Sequence, residues 1–188
     1  MKFAFFILLS AAFLGGCLSS APPAPTNWTI APEAAAVSAA AQPKWGTARL
    51  ALVTVRAPYD GQKLAVLRKN GSLAFDSFNL FAAAPAALLR GAARDVAARS
   101  GLFARVVPAA SAAAAPYALE VSVTRLALDC RTEGVRNAVC ELSLTLLNGR
   151  EIVGVASGEG TSSVHNGDFS AAFSTAFTTA LSGALKNL

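Results

Sequence analysis

Histidine, methionine, tyrosine and tryptophan are all scarce: one, one, two and two residues in a chain of 188. A single histidine leaves a zinc site short of ligands, because such sites draw on several Cys, His or acidic groups. That histidine, His165, lies in a polar Ser-Ser-Val-His-Asn-Gly stretch. A general base needs a positioned acid or nucleophile beside it, and the stretch supplies neither, so His165 reads as a solvated loop residue. No G-x-S-x-G or H-E-x-x-H pattern occurs, and Gly158-Glu159-Gly160-Thr161 lacks the lysine and spacing of a phosphate-binding loop. Asp60, Asp76, Asp129 and Asp168 fall at expected turns and element ends, where aspartate caps backbone N–H groups. The sequence therefore points to no enzyme, and no metal or cofactor is expected.

Charge is equally thin. Lys and Arg number 16 against 11 acidic residues, for a formal charge of +5, and basic residues adjoin only at Arg68-Lys69. This excludes a nucleic-acid-binding stripe and leaves a mild attraction to anionic lipid head groups. Long apolar runs are missing too. The longest, Phe3 to Leu14, falls short of the ~20 residues that a bilayer core requires.

That short run does carry information. Lys2 precedes it, and Leu14-Gly15-Gly16-Cys17 follows with two small residues before a cysteine. The arrangement resembles the lipobox of bacterial lipoproteins, whose cysteine takes a diacylglycerol and becomes the acylated N-terminus after cleavage. An ordinary secretory leader with a chance cysteine stays open beside it. Each buried methylene contributes about 0.8 kcal/mol, so one acyl chain holds marginally and two or three hold firmly. Leu18, in place of the aspartate that retains enterobacterial lipoproteins at the inner membrane, resembles the outer-membrane case.

The expected organisation is a leader over 1–16, an acylated Cys17 with a Pro/Ser/Ala tether over 17–27, and one domain over 28–188. The tether cannot bury enough apolar surface to fold. Cys130 and Cys140 remain after acylation, and in an oxidising compartment they read as a disulfide across a hairpin, worth roughly 3 kcal/mol. Two reduced thiols or a metal pair are the other readings.

Alternation of apolar and polar residues predicts strands at Trp28–Ile30, Arg49–Ala57, Leu64–Leu67 and Leu73–Phe75, with a loop over 33–46. Further strands are expected at Phe103–Val107, Tyr117–Leu128, Ala138–Leu147 and Glu151–Ala156. Pro58-Tyr59-Asp60-Gly61 and Asn70-Gly71 read as turns, Asn148-Gly149 as a type I′ turn, and Gly158-Glu159-Gly160 as a bulge that loosens an edge. The alanine-rich 108–116 connection is expected to be mobile. Pro85 opens a helix with an apolar stripe through Leu88, Leu89, Ala92, Val96 and Ala97, ended by Gly101. Phe169, Phe173, Phe177 and Leu181 recur every four residues in a second helix, N-capped by Asp168. Core packing is its first reading, and a partner-binding amphipathic helix the second. Together these predict an α+β fold: a mixed, mainly antiparallel sheet with two principal helices on one face.

In order along the chain, Val53-x-Val55, Tyr59-Asp60, Leu67-Arg68, Gly71, Pro85-x-x-Leu88-Leu89 and Ser100-Gly101-Leu102-Phe103 with Val106 resemble the ABC-type transport auxiliary lipoproteins. Tyr117-x-Leu119 and the closing aromatic helix continue the likeness, which spans about 28–185. The family often carries a tryptophan before the first helix, where this chain offers only Phe81. The resemblance implies a non-catalytic accessory of a lipid or solvent transport system with an MCE-type component. It would be held at the outer membrane, facing the periplasm, and contact a protein partner, with self-assembly into a homo-oligomer as an option. Its family-like positions are Tyr59, Asp60, Arg68, Pro85, Gly101 and Phe103. A lipopolysaccharide-assembly-like structural lipoprotein and a carrier of small apolar ligands are the alternatives.

Overall fold

A computed structural model of the chain describes residues 23–31, 40 and 42–188. Eight strands and two helices follow one another as β1 (Thr26–Trp28), β2 (Trp45–Val55), β3 (Lys63–Arg68), β4 (Leu73–Phe81), α1 (Pro85–Arg99), β5 (Phe103–Pro108), β6 (Tyr117–Cys130), β7 (Asn137–Asn148), β8 (Glu151–Ser163) and α2 (Phe169–Lys186). The α+β expectation holds. All eight strands join one mixed sheet, with α1 and α2 packed against it and against each other.

β6 is the hub. One side of it pairs antiparallel with β7 along nearly its whole length, and β7 pairs antiparallel with β8. The other side is shared: β2 runs parallel along its first half, and β3 runs parallel along its end. β2 and β3 thus point the same way, and Pro58-Tyr59-Asp60-Gly61 does not reverse the chain as a turn. It is a jog between two nearly collinear strands, started by Arg56 N–H donating to Val123 O. β5 lies outside β2, while β4 and then β1 lie outside β3.

Strict alternation chooses the buried face. Along β7, Ala138, Cys140, Leu142, Leu144 and Leu146 are buried, and the residues between them are not. They face Leu128, Leu126, Val123, Val121 and Leu119 of β6, all at most 4% exposed. Leu89, Val96, Phe173, Phe177 and Leu181 of the helices complete this core. Each such side chain contributes roughly 1.5–3 kcal/mol by leaving water.

α2 approaches the sheet more closely than side chains would allow. A Cβ on Gly158 would stand 1.9 Å from the Ala180 carbonyl oxygen, and one on Gly160 would stand 2.0 Å from that of Ala176. The two glycines are not a bulge. They pair in unbroken register with Leu142 and Cys140, and β8 continues beyond them to Ser163. They are glycine because helix backbone occupies the space of a side chain.

Other boundaries moved for local reasons. β4 runs on from Phe75 to Phe81 across an irregularity, and β1 starts two residues before Trp28. β2 takes in Trp45 and Gly46 from the expected loop; residues 32–39 and 41 of that loop lie outside the described residues. At the β7–β8 turn the central pair is Gly149-Arg150, and only Gly149 has positive φ, the type II′ pattern instead of I′. The 108–116 connection is tied down, because the Arg49 guanidinium donates to the carbonyls of Ala109, Ser111 and Ala113. Asp168 caps α2 as expected, accepting from Ala171 N–H at 2.9 Å. Asp168→Ala is expected to cost about 1 kcal/mol in chemical denaturation, with the sheet signal unchanged below the transition.

Candidate functional site

Two surfaces remain after the core is assigned. The first is the sheet face opposite the helices. Cross-strand register orders it in lanes. Leu147 stands beside Ile152, then Glu120, Thr145 and Val155 in line, then Ser122, Ser143 and Ser157, then Arg125, Glu141 and Glu159. One end of the face is therefore apolar, with Leu52, Ile152 and Val155 at 46%, 60% and 62% exposure. The middle is hydroxylic, and the far end is charged.

The charged lane sets two carboxylates, Glu141 and Glu159, directly opposite each other, an unfavourable pairing if left alone. Arg125 relieves it with a 2.8 Å contact to Glu141. A shallow depression of about 440 Å³ lies over Thr124, Glu141, Ser143, Ser157 and Glu159. The lane offers hydrogen-bond donors and acceptors to a surface laid across it. Among the described residues, no three of the His, Cys, Asp and Glu side chains could share a metal ion.

The second surface is the end of the sheet where the β3–β4 and β6–β7 turns meet. Lys69 and Glu133 link the two turns at 3.2 Å, both highly exposed, which is worth little in water. Phe75 and Phe78 of β4 are 47% and 50% exposed, and with Val66 and Arg68 they line one shallow hollow. Asp76 builds this shape. Its carboxylate accepts from the backbone N–H groups of Phe78 and Asn79 and from the Asn79 amide. Burial pushes the Asp76 pKa up, but these three hydrogen bonds outweigh it and hold the carboxyl below its usual 3.8.

A depressed folded-state pKa means that Asp76 contributes stability above its unfolded value and that this is lost as pH falls through the folded value. Asp76→Asn is therefore expected to lower stability at neutral pH, with the difference from the unsubstituted chain shrinking as pH falls below the usual carboxylate pKa and smallest once pH is below the depressed folded-state value. Denaturation midpoints across a pH series check this. Asp129 behaves likewise, held low by the Arg131 guanidinium that grips it at 2.6 Å.

The expected site residues scatter. Cys17 and the lipobox lie outside the described residues. Tyr59 packs on the core margin and Asp60 is exposed in the jog. Pro85 and Phe103 are buried, and Gly101 takes φ +66° just past the α1 terminus, against the Ala40 backbone. Those three serve the fold. Of the family-like positions, Arg68 alone reaches the hairpin end. His165 is exposed in the loop before α2.

The expected disulfide is not formed: Cys130 and Cys140 are free. Cys140 sits opposite Leu126, and Cys130 lies four residues farther along β6. That is roughly 13 Å at strand rise, beyond the reach of an S–S bond. The six-residue turn 131–136 sets this offset, which spacing alone did not reveal. Burial pushes the Cys140 thiol up to about 12, and burial also raises half-buried Cys130. Native-state alkylation is expected to modify Cys130 well before Cys140, and intact mass should show both thiols reduced.

Neither the exposed aromatics nor the apolar end of the open face was foreseen. The signal was present in Phe75-Asp76-Ser77-Phe78-Asn79, a run rich in turn-forming residue types, in which the Asp76 carboxylate makes the side-chain-to-backbone turn.

No family model matches the chain, and no curated protein matches it. Among solved structures it is similar to XCC0632 from Xanthomonas campestris, described there with the DUF330 family model, at TM-score 0.60 and 21% identity over 85% of this chain and 87% of that one. A second structure, of an uncharacterized protein, gives TM-score 0.55 and 12% identity over 80% and 92%. A looser overlap, TM-score 0.43 at 15% identity over 81% and 93%, is with the PelC dodecamer from Paraburkholderia phytofirmans. The TM-scores show a shared fold with the first two.

Proposed function

We propose that the chain is a lipid-anchored accessory protein of an ABC/MCE-type transport system, supporting lipid or organic-solvent traffic across the periplasm by contact with another envelope protein. The observation that carries this reading is the lipobox-like Leu14-Gly15-Gly16-Cys17, set on a short tether before an α+β domain. The sheet face opposite the helices supports a docking role. Leu52, Ile152 and Val155 stand out at one end of it beside a hydroxylic lane and an ion pair, an exposed apolar patch next to hydrogen-bonding groups of the kind that protein contacts use.

The carrier alternative would need room between helix and sheet. Backbone contact at Gly158 and Gly160 closes that space beneath the middle of α2, which favours the docking reading. Among the described residues the outer edge of β8 is unpaired, and a second copy could add there.

Crosslinked pull-down from native envelopes, with the unsubstituted chain and with Leu52→Glu/Val155→Glu, tests the proposal. The unsubstituted chain is expected to bring down a permease, ATPase or MCE component, and the double variant to lose it. Capture of a large assembly β-barrel instead, or equal capture by both, would contradict it.

A further inference from the structure

β1 is parallel to β4, with Thr26 beside Asn79, Asn27 beside Leu80 and Trp28 beside Phe81. Trp28 Nε1–H donates to Asn79 Oδ1 at 3.0 Å and fixes that register. Traced backward to Thr26, β1 therefore points toward Phe78 and the β3–β4 turn. Eight residues separate Cys17 from Thr26. Even fully extended, such a segment reaches roughly 30 Å. A lipid on Cys17 would keep the domain within that distance of the bilayer, and the end of the sheet toward which β1 points is the end nearest the anchor's point of attachment.

The same end displays what an interfacial contact requires. Phe75 and Phe78 stand half-exposed around one hollow, and Val135 is 41% exposed on the neighbouring turn. The aromatic pair is not a frayed edge, because the three hydrogen bonds to Asp76 hold the backbone that presents it. Arg68 is exposed beside it and, among the described residues, forms no ion pair, whereas Lys69 and Arg131 are matched by Glu133 and Asp129. Aromatic rings settle at the head-group level of a bilayer, and basic residues favour an anionic surface.

From this juxtaposition we infer that the β3–β4 end is a second, non-covalent membrane contact. Phe75 and Phe78 enter the interfacial layer of an anionic bilayer while Arg68 meets its head groups. The inference rests on the proposed acylation of Cys17. Its consequence is orientation: lipid and aromatics together make a two-point attachment, so the domain stands in one pose and does not swing on its tether.

The test uses the full acylated chain carrying Phe78→Trp, and separately Leu52→Trp on the open sheet face. Each is placed on vesicles of phosphatidylethanolamine with a phosphatidylglycerol minority, with and without bromine on the acyl chains. Quenching is read above the background of the unsubstituted chain, which carries Trp28 and Trp45. Phe78→Trp is expected to be quenched several-fold more than Leu52→Trp, and adding Arg68→Glu should reduce that quenching. Equal quenching of the two variants on floating vesicles would overturn the membrane contact and leave the anchor standing. A full chain that does not float with vesicles would overturn both. Quenching lost only when a second protein is added would still support the contact in the free chain.

Discussion

Replacing Gly158 and Gly160 together by alanine is expected to destabilise the protein by roughly 3 kcal/mol or more, a fall in Tm of about 10 °C. Each new methyl would lie about 2 Å from a carbonyl oxygen of α2. A carbonyl on the inner side of a packed helix cannot rotate away, so the helix itself must lift. Lifting it opens the interface that Ala172, Ala176, Ala180 and Ala184 share with β8, all at most 2% exposed. Gly91 of α1 is the control, because among the described residues nothing lies within 4 Å of a Cβ placed there. Gly91→Ala should stabilise by about 0.5–1 kcal/mol, since it only removes backbone freedom from a helix. Opposite signs for two Gly→Ala changes in one protein separate packing from propensity, and thermal and denaturant unfolding both read them. A mild effect at Gly158 and Gly160 would mean that α2 does not sit where described.

Phe173→Ala has the next largest expected effect, about 4 kcal/mol by chemical denaturation. The ring is 1% exposed and packs edge-on against Phe81 at 5.2 Å between centroids. Its loss removes buried apolar area, leaves a cavity between α2 and the β4 edge, and takes away an aromatic pair worth about 1 kcal/mol beyond area. Trp28 and Phe169 pair in the same way at 5.3 Å, so the cavity would also loosen β1. Phe75→Ala, by contrast, is expected to change stability by no more than about 0.5 kcal/mol, because half of that ring already faces water. If Phe75→Ala proved as costly as Phe173→Ala, the β4 edge would have to be buried by something further.

Much of this fold was legible because alternation and helical spacing report burial directly. The phenylalanines of α2, the stripe of α1 and the inward residues of β6 and β7 occupy the core that their spacing implied. What failed to show was whatever depends on a partner distant in sequence. Gly158-Glu159-Gly160 looks like a weak strand until the helix that needs the gap is placed over it. Pro58-Tyr59-Asp60-Gly61 has turn composition, yet β6 is long enough to take β2 and β3 end to end on one side. The hairpin between Cys130 and Cys140 was foreseen, but not its register, and the register decides that the thiols stay apart.

The candidate surfaces were less legible than the fold. Leu52 lies in a strand, Arg49–Ala57, whose residues read as covered on both faces, Ile152 and Val155 look like ordinary strand alternation, and only the placement of both helices on one face leaves all three in water. Phe75 and Phe78 sat in a stretch read as a short strand and a loop. The lipobox-like segment needs no tertiary context to be read, which is why the functional proposal leans on it.

Attachment through Cys17 is tested most directly by the intact mass of the mature protein extracted from cell envelopes. The expected result is a chain starting at Cys17 and heavier than its sequence by a diacylglycerol group with or without a third acyl chain, a mass that Cys17→Ser abolishes together with membrane fractionation. An unmodified N-terminus, or a Cys17→Ser protein that still fractionates with membranes, would contradict it.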